Sequence, residues 1–274
     1  MSNEKQSTYW NEIAGPKWIK IGGAMEARLA NITQLLLETA TPTPGENILD
    51  IGCGTGTTAR PLAKAVAPTG HVTAIDISTP MLEVARSGGG AITYLEADAQ
   101  THDFSPKKFD LLASRFGVMF FEDPIAAFTN LHIHLAPAGR LCFITWAPLI
   151  QNPHWLIPFN IVRSHLGNPE PRHPHSPGPL AFSDSAYINY ILAKSGYSQI
   201  TITPTPVSII GESLESEAQM SCLFGPPGAL IEEKKPTPEA RAKIQSEIAA
   251  ALAAFQTETK IALPATVNIV TACH

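Results

Sequence analysis

The chain has 274 residues, a hydrophobic fraction of 44% and a formal net charge of −5. This composition supports a sizeable core and argues against intrinsic disorder, and the length suits one α/β domain with insertions. A negative charge without long runs of one sign argues against a nucleic-acid backbone as the main partner. The four cysteines are widely spaced, the first residues are too polar for a signal peptide, and no apolar stretch reaches membrane-spanning length. We therefore expect a cytoplasmic protein without a disulfide framework or membrane contact.

Residues 1–46 exceed what a nucleotide-binding sheet needs, and we predict that they form a helical lid. Large aromatic side chains, among them Trp10 and Trp18, lie near the start. Apolar residues then recur with helical period from Met25 to Leu37, until a Pro/Gly-rich stretch ends the segment. The tryptophans either anchor the core or belong to a segment that closes over a bound ligand.

Residues 47–63 combine a buried strand, a glycine-rich turn and the start of a helix. The strand contains Asp50, and glycines follow at positions 52, 54 and 56. Such a turn lets the backbone approach a bound molecule closely. A dinucleotide fingerprint requires G-x-G-x-x-G, but the third position after Gly54 is Thr57, so the pattern is D-x-G-x-G-x-G.

Three further apolar runs follow, and a polar residue lies at or just after the end of each. The first ends at Asp76, the second is followed by Asp98 and Ala99, and the third ends at Ser114. Strands that alternate with helices predict a mainly parallel sheet, which binds ligands at the carboxyl ends of its strands. An acid at the second strand end can accept hydrogen bonds from ribose hydroxyls.

The second half of the chain is less regular. Residues 155–166 read as a helix broken by Pro158, and the proline-rich stretch 168–180 reads as an extended surface loop. Strands are predicted near 198–205 and 264–272. Between these strands, a helical cap insertion is predicted near 208–262.

The order of these motifs resembles the class I S-adenosylmethionine-dependent methyltransferases, specifically over residues 45–147. The stretch Ser-Arg-Phe-Gly-Val-Met-Phe-Phe-Glu-Asp-Pro at 114–124 resembles a bacterial subgroup related to the ubiquinone/menaquinone biosynthesis C-methyltransferases. This looser resemblance extends over most of the chain. It implies a doubly wound, Rossmann-like sheet of seven mostly parallel strands with an antiparallel last strand. Residues 45–147 would form the cofactor-binding core, and residues 148–274 would complete the sheet and carry the helical cap.

The resemblance also implies a site for S-adenosylmethionine, whose product is S-adenosylhomocysteine. Asp76 would bind the ribose, Asp98 would bind the exocyclic amine of adenine, and the small Ala99 would leave room for the ring. An aromatic lid residue beside the sulfonium ion would contribute a cation–π interaction of roughly 0.5–2 kcal/mol. The residues expected at the cofactor are Asp50, Gly52, Cys53, Gly54, Gly56, Asp76, Ile77, Met81, Asp98, Ala99, Ser114 and Trp18.

The function expected from this resemblance is direct displacement of a methyl group onto O, N or C of a small, largely apolar molecule. The partner would be that small molecule, with neither nucleic acid nor membrane, and the protein a monomer or homodimer. A non-catalytic S-adenosylmethionine-binding protein remains an alternative. A nicotinamide-dependent dehydrogenase is disfavoured by the glycine spacing.

Two residues are candidates for the catalytic site. The apolar run at 141–146 predicts a fifth strand. His154 follows that strand and could act as a general base for a protonated acceptor. Arg115 could hold an anionic substrate group or form a structural ion pair with Glu122 or Asp123. His173 and His175 could fold over the site or be solvated. His132 and His134 are expected at the surface, and no catalytic metal is expected. Met119, Phe120 and Phe121 are expected mainly to pack in the core, but they could line the acceptor pocket if their loop faces inward.

The extra segments should converge over the carboxyl ends of the strands and enclose an acceptor pocket. These segments are the residues before Asn47, the loop 168–180 and the stretch 208–263. The physical reason is that a small substrate buries too little surface to keep water from a methyl sulfonium alone. The side chains expected near the transferred methyl group are those of Trp10, Trp18, Arg115, Phe116 and His154.

Overall fold

The computed structural model describes residues 3–274. Its centre is a seven-stranded sheet with the strand order β3-β2-β1-β4-β5-β7-β6. The strands are β1 (Asn47–Ile51), β2 (His71–Asp76), β3 (Ile92–Glu96), β4 (Phe109–Arg115), β5 (Leu135–Trp146), β6 (Ser198–Gly211) and β7 (Ile261–Cys273). Strands β1 to β5 pair in parallel, whereas β7 runs antiparallel to both of its neighbours. The predicted fold class is confirmed.

Helices connect the strands and build the additional segments. They are α1 (Glu4–Tyr9), α2 (Gly15–Arg28), α3 (Ala30–Ala40), α4 (Ala59–Val66), α5 (Thr79–Ser87), α6 (Pro124–Ile133), α7 (Pro153–Leu166), α8 (Ser185–Lys194), α9 (Leu214–Ser221), α10 (Gly225–Lys234) and α11 (Pro238–Leu252). A π-helical turn, Trp10–Ala14, joins α1 to α2. None of the helices within residues 3–274 is both long and apolar enough to cross a membrane.

The central strands β1 and β4 consist almost entirely of buried residues. Because right-handed β–α–β crossovers place helices on both faces of a parallel sheet, such strands need apolar side chains on both sides. Ile48, Leu49, Leu111 and Leu112 accordingly have no exposed surface. This core holds the strand ends, where the polar residues lie, in fixed positions.

Three predicted elements differ from those observed. The helical period from Met25 to Leu37 is divided between α2 and α3, because the backbone leaves the helical region at Leu29. Helix α7 continues through Pro158 instead of breaking there. The Pro158 side chain is buried in the protein, and this packing offsets the hydrogen bond that a proline cannot donate. Strand β5 begins at Leu135, six residues before the predicted start at Leu141.

The two last strands are longer than predicted, and they pair from Ser198 opposite Cys273 to Gly211 opposite Ile261. The edge strand β6 tolerates Pro204 and Pro206, because an edge strand need not donate every backbone hydrogen bond. The chain between β6 and β7 carries α9, α10 and α11, with α10 and α11 packing against α7. The long insertion therefore lies over the strand ends near α7.

Candidate functional site

A cavity of about 270 Å³ lies at the carboxyl ends of β1, β2 and β4. A single buried water needs only about 10–15 Å³ of such volume, so this cavity suits an organic ligand. Its wall combines the glycine loop and strand ends with residues of α1, α2, α7, α9 and α10, and with Pro179 of the proline-rich loop. All three extra segments therefore contribute to one enclosure.

The glycine loop forms one part of this wall. Gly52 has φ +66°, and a Cβ atom there would lie 2.7 Å from the Cα atom of Gly117. Only glycine fits this combination of left-handed backbone and close approach. Gly54 also has a positive φ, of +54°, and its N–H donates to Asp76 Oδ2 at 2.8 Å. Gly52, Cys53 and Gly54 face the cavity, whereas Gly56 lies outside its wall, near the Tyr94 hydroxyl.

Asp76 at the end of β2 and Asp98 after β3 both line the cavity, together with Ile77, Met81 and Ala99. Asp76 accepts hydrogen bonds from the backbone N–H groups of Gly54 and Ser78, at 2.8 and 2.9 Å. Burial raises the pKa of Asp76, although these backbone donors oppose that rise. Asp98 Oδ1 accepts from the Gln100 N–H at 3.0 Å and from Asn3 at 3.4 Å. A carboxylate can accept about four hydrogen bonds, so both acids retain acceptor capacity for a ligand.

Asp50 lies just behind the wall and is only 1% exposed. Neither of its carboxylate oxygens has a hydrogen-bond partner among residues 3–274. Burial raises the pKa of Asp50 to about 7, with the Arg115 charge lowering it and the Asp76 charge raising it. A nearby cation would favour the ionised form of such an acid. This unsatisfied carboxylate therefore fits a positively charged ligand.

Ser114 lies behind the wall as well and connects two strand ends. Its hydroxyl donates to the Ile51 carbonyl at 2.7 Å and accepts from the Gly117 N–H at 3.1 Å. These bonds join β4 to the end of β1 and hold the turn that contacts Gly52. The structure therefore gives Ser114 a bracing role beside the site.

Aromatic rings cover the other half of the cavity. Trp10 packs edge-to-face on Phe120 with ring centroids 5.0 Å apart. Phe116 stacks on Trp146 at 4.5 Å, with the ring planes 7° apart. Phe116 adopts φ +67°, which is strained for a bulky residue and is typical of functional sites. Trp18, which also lines the cavity, packs edge-to-face on Phe224 at 5.9 Å.

The N-terminal segment is attached to the chain after β2 by side-chain hydrogen bonds. Asn11 donates to the Ile77 carbonyl and accepts from the Thr79 N–H, both at 2.9 Å. The Ser78 hydroxyl donates to the Trp10 carbonyl at 3.0 Å. These bonds hold the π-helical turn against the cavity mouth.

His154 lines the cavity and is only 4% exposed. Burial and the Arg28 charge lower its pKa to about 3, while a hydrogen bond with the Pro264 backbone opposes the change. The imidazole is therefore neutral at physiological pH and is a weak proton acceptor in this conformation. Its Nδ1 atom is buried without a partner in the described chain, and Trp146 and Trp155 pack beside the ring.

Arg115 also lines the cavity but has a different ion-pair partner from those predicted. Its guanidinium donates to Glu26 Oε2 and to Thr33 Oγ1, both at 2.7 Å. The predicted pairing with Glu122 or Asp123 is wrong, because α2 and α3 pack beside the end of β4 and supply nearer acceptors. Arg115 therefore ties the strand end to the N-terminal helices.

Arg28 is a cavity residue that the sequence interpretation missed. It pairs with Glu217 of α9 at 2.5 Å, and the Glu217 side chain is fully buried. A signal existed in the sequence, because Arg28 occupies the helical face marked by Met25, Leu29 and Ile32. A cation on an apolar face indicates a buried partner or a ligand.

The other histidines lie away from the cavity. His134 is buried and packs on Phe104, so its predicted surface position is wrong. His132 is half-buried and stacks on His274 at 4.4 Å, and it too is not a simple surface residue. His173 is exposed, and His175 stacks on Tyr187. Nearer the site, the cavity wall also contains Met119, Phe120 and Phe121.

Comparison with known proteins shows that the stretch with the glycine loop and the strand ends is similar to a described family. Residues 48–139 match the family described as "Methyltransferase domain". Aklanonic acid methyltransferase DauC of Streptomyces sp. is 35% identical over 113 residues, which cover 39% of this chain and 51% of that protein. The ubiquinone/menaquinone biosynthesis C-methyltransferase UbiE of Psychromonas ingrahamii is 31% identical over 115 residues, covering 40% and 46%. The chain thus spans about half the length of the curated relatives that it matches.

Solved structures extend the similarity of fold to the whole chain. Phosphoethanolamine N-methyltransferase 2 of Haemonchus contortus, in complex with S-adenosyl-L-methionine, aligns with a TM-score of 0.58 at 18% identity. That alignment covers 100% of this chain and 60% of the other. The [4+2]-cyclase SpnF aligns with a TM-score of 0.53 at 16% identity, covering 89% and 80% of the two chains. At these identities the likeness concerns the fold alone.

Proposed function

We propose that this chain, whose residues 48–139 match the methyltransferase-domain family, is a class I S-adenosylmethionine-dependent methyltransferase that methylates a small, largely apolar molecule at O, N or C. The observation that best supports this proposal is that two different sets of residues line the same cavity. One half has the glycine loop and the acids Asp76 and Asp98, and the other half has an aromatic cover.

The residues on the cofactor half suit S-adenosylmethionine. We propose that Asp76 accepts hydrogen bonds from the ribose hydroxyls and Asp98 from the adenine amine. Gly52 and Gly54 would bring backbone close to the ligand, and the orphaned Asp50 carboxylate fits its positive charge. The remaining contacts proposed on this half are those of Cys53, Ile77, Met81 and Ala99, with Trp18 on the facing helix.

When bound, the cofactor supplies an activated methyl group on a sulfonium ion. The protein must then align the acceptor atom with that group and exclude water, and such positioning supplies much of the rate. The aromatic cover and the neighbouring helices α9 and α10 would exclude water. His154, because of its low pKa, would orient the acceptor by a hydrogen bond more readily than it would remove a proton. Arg115 would be a positioning residue, because its ion pair with Glu26 would hold the N-terminal helices against the end of β4.

The proposed partner is a small molecule, because the wall encloses the acceptor half with apolar side chains. A nucleic acid would need an open, basic groove instead. We propose a monomer or homodimer, which analytical ultracentrifugation would distinguish.

A second candidate is a protein that binds S-adenosylmethionine without transferring its methyl group. The similarity to the [4+2]-cyclase motivates it, because the same fold there belongs to an enzyme named for another reaction. A nicotinamide dehydrogenase is disfavoured by the glycine spacing and by the match to the methyltransferase domain.

Isothermal calorimetry with S-adenosylmethionine, S-adenosylhomocysteine and NAD⁺ tests the cofactor. We expect both methionine nucleosides to bind and the dinucleotide not to bind, and the reverse pattern would refute the proposal. Incubation with a panel of apolar phenols, acids and amines then tests transfer, through acceptor-dependent release of S-adenosylhomocysteine. Cofactor binding without turnover on a broad panel would favour the second candidate.

A further inference from the structure

The acceptor half of the cavity contains an arginine whose hydrogen-bonding capacity is mostly unused. Arg28 Nη2 donates to Glu217 Oε2 at 2.5 Å, and Nη1 lies 3.8 Å from Met25 Sδ, which is a weak acceptor. Its Nε atom is buried and has no partner among residues 3–274. A guanidinium carries five N–H donors, so this single strong acceptor leaves the rest of the fork available.

The surroundings of Arg28 make this unused capacity significant. The side chain is only 13% exposed, and Met220, Phe224 and Trp155 line the same cavity. A buried donor without an acceptor is unfavourable, and native structures seldom leave one unpaired unless a ligand or water completes it. Arg28 and His154 both line the cavity, and the Arg28 charge helps to lower the pKa of His154.

The other charged side chains on this part of the wall already have partners. Glu26 pairs with Arg115 at 2.7 Å, and Glu232 pairs with Lys17 at 3.0 Å. Arg115 has a buried Nε atom without a partner among residues 3–274, as Arg28 does, but it differs from Arg28 because two of its nitrogens donate to strong acceptors, a carboxylate and a hydroxyl. The geometry therefore leaves Arg28 as the group best able to bind a polar atom of the acceptor.

We propose that Arg28 binds a hydrogen-bond-accepting oxygen of the methyl acceptor, a carboxylate or carbonyl group attached to an apolar body. Rings of the aromatic cover would contact that body, and Arg28 would determine which end of the molecule faces the cofactor. Glu217 holds the guanidinium by one nitrogen and keeps the remaining donors directed to the ligand. This inference rests on the proposed function, and it assigns Arg28 as a residue that determines acceptor specificity.

Three matched probes test the class of acceptor. They are naphthalene-2-carboxylate, naphthalene-2-carboxamide and 2-(aminomethyl)naphthalene, titrated by tryptophan fluorescence with and without saturating S-adenosylhomocysteine. We expect the carboxylate and the amide to bind at least tenfold more tightly than the amine, because a buried cation is repelled by Arg28. Equal binding of all three probes, or binding of none, would overturn the proposal.

Variants of the ion pair give effects of opposite sign. Arg28→Met should weaken carboxylate binding at least tenfold, whereas Glu217→Gln should tighten it, because the competing carboxylate is removed. A purely structural ion pair would instead weaken binding in both variants, and that result counts against the proposal. Arg28→Met leaves the buried Glu217 carboxylate without its partner, which can destabilise the fold. The double variant Arg28→Met/Glu217→Gln avoids this problem and should also lose carboxylate binding. Arg163→Met, which removes an exposed arginine of α7, is the matched control.

Calorimetry with S-adenosylhomocysteine separates this inference from the proposed function. If the parent protein fails to bind the nucleoside, the proposed function fails. If the nucleoside binds to all variants within threefold of the parent but carboxylate binding does not depend on Arg28, the inference alone fails.

Discussion

Replacing Asp50 by Asn tests the electrostatic state of the acid that precedes the glycine loop. Burial raises its pKa from 3.8 to about 7 in the folded chain. Because the folded state favours the protonated carboxyl, ionisation begins to cost stability as the pH rises above 3.8. The cost grows up to the folded pKa and is complete above it. The difference, about 7 − 3.8, is roughly three pK units, and each unit corresponds to about 1.4 kcal/mol. The full cost at pH 8 is therefore at most about 4 kcal/mol.

The comparison of two pH values isolates this cost from the other effects of the substitution. At pH 5 the parent has lost only the stability that corresponds to about one of these three pK units. It should therefore lose roughly 2–3 kcal/mol more between pH 5 and pH 8. The Asp50→Asn variant has no group to ionise there. Burial of its amide, which costs about 1–3 kcal/mol if unpaired, is the same at both pH values. The stability of the variant relative to the parent should thus rise by about 2–3 kcal/mol from pH 5 to pH 8.

Urea unfolding without cofactor at pH 5 and pH 8 measures this double difference. Glu38→Gln, which removes an exposed carboxylate of α3, controls for the loss of one negative charge. If the difference between the Asp50→Asn variant and the parent is the same at both pH values, the carboxylate is not buried and unsatisfied as the structure shows.

The remaining predictions concern the cofactor and the N-terminal segment. Binding of the cationic cofactor should draw the Asp50 carboxyl into its ionised form, so calorimetry at pH 6 in buffers of different ionisation enthalpy should register release of close to one proton; no release would contradict this charge pairing. Asp76→Ala should weaken cofactor binding by roughly 1.5–3 kcal/mol through lost charge-assisted bonds, and Asp98→Ala by less because its contact is to a neutral amine. If both variants bind the cofactor with the parental affinity, Asp76 and Asp98 do not contact it as proposed. Asn11→Ala removes the two hydrogen bonds of 2.9 Å that join the N-terminal segment to the chain after β2, and it should destabilise that segment by about 1–3 kcal/mol, seen as faster limited proteolysis before residue 46. Gly52→Ala should abolish measurable cofactor binding, because the added Cβ would lie 2.7 Å from a facing backbone atom at φ +66°; retained affinity would refute the close packing.

Elements with strong local patterns could be predicted closely. Strand β2 ends at Asp76, as its apolar run ending in an acid predicts, and the seven mostly parallel strands with an antiparallel β7 follow from the resemblance. The break at Leu29, the continuation of α7 through Pro158 and the burial of His134 could not be predicted in this way. In each case the outcome depends on what packs against the residue, and local propensity is weaker than such packing.

The sequence by itself determined the part of the cavity wall that carries the glycine loop and the acids Asp76 and Asp98. The glycine loop and the acids after β2 and β3 lie within about fifty residues of one another, and alternating strands and helices bring their ends to one edge of the sheet. Only the tertiary structure decided the part of the wall that holds the charged side chains of α2 and β4. Arg115 and Glu26 are 89 residues apart, and Arg28 and Glu217 are 189 residues apart. Whether such a charge is paired, buried or available to a ligand depends on where distant helices pack, and spacing along the chain carries no information about that.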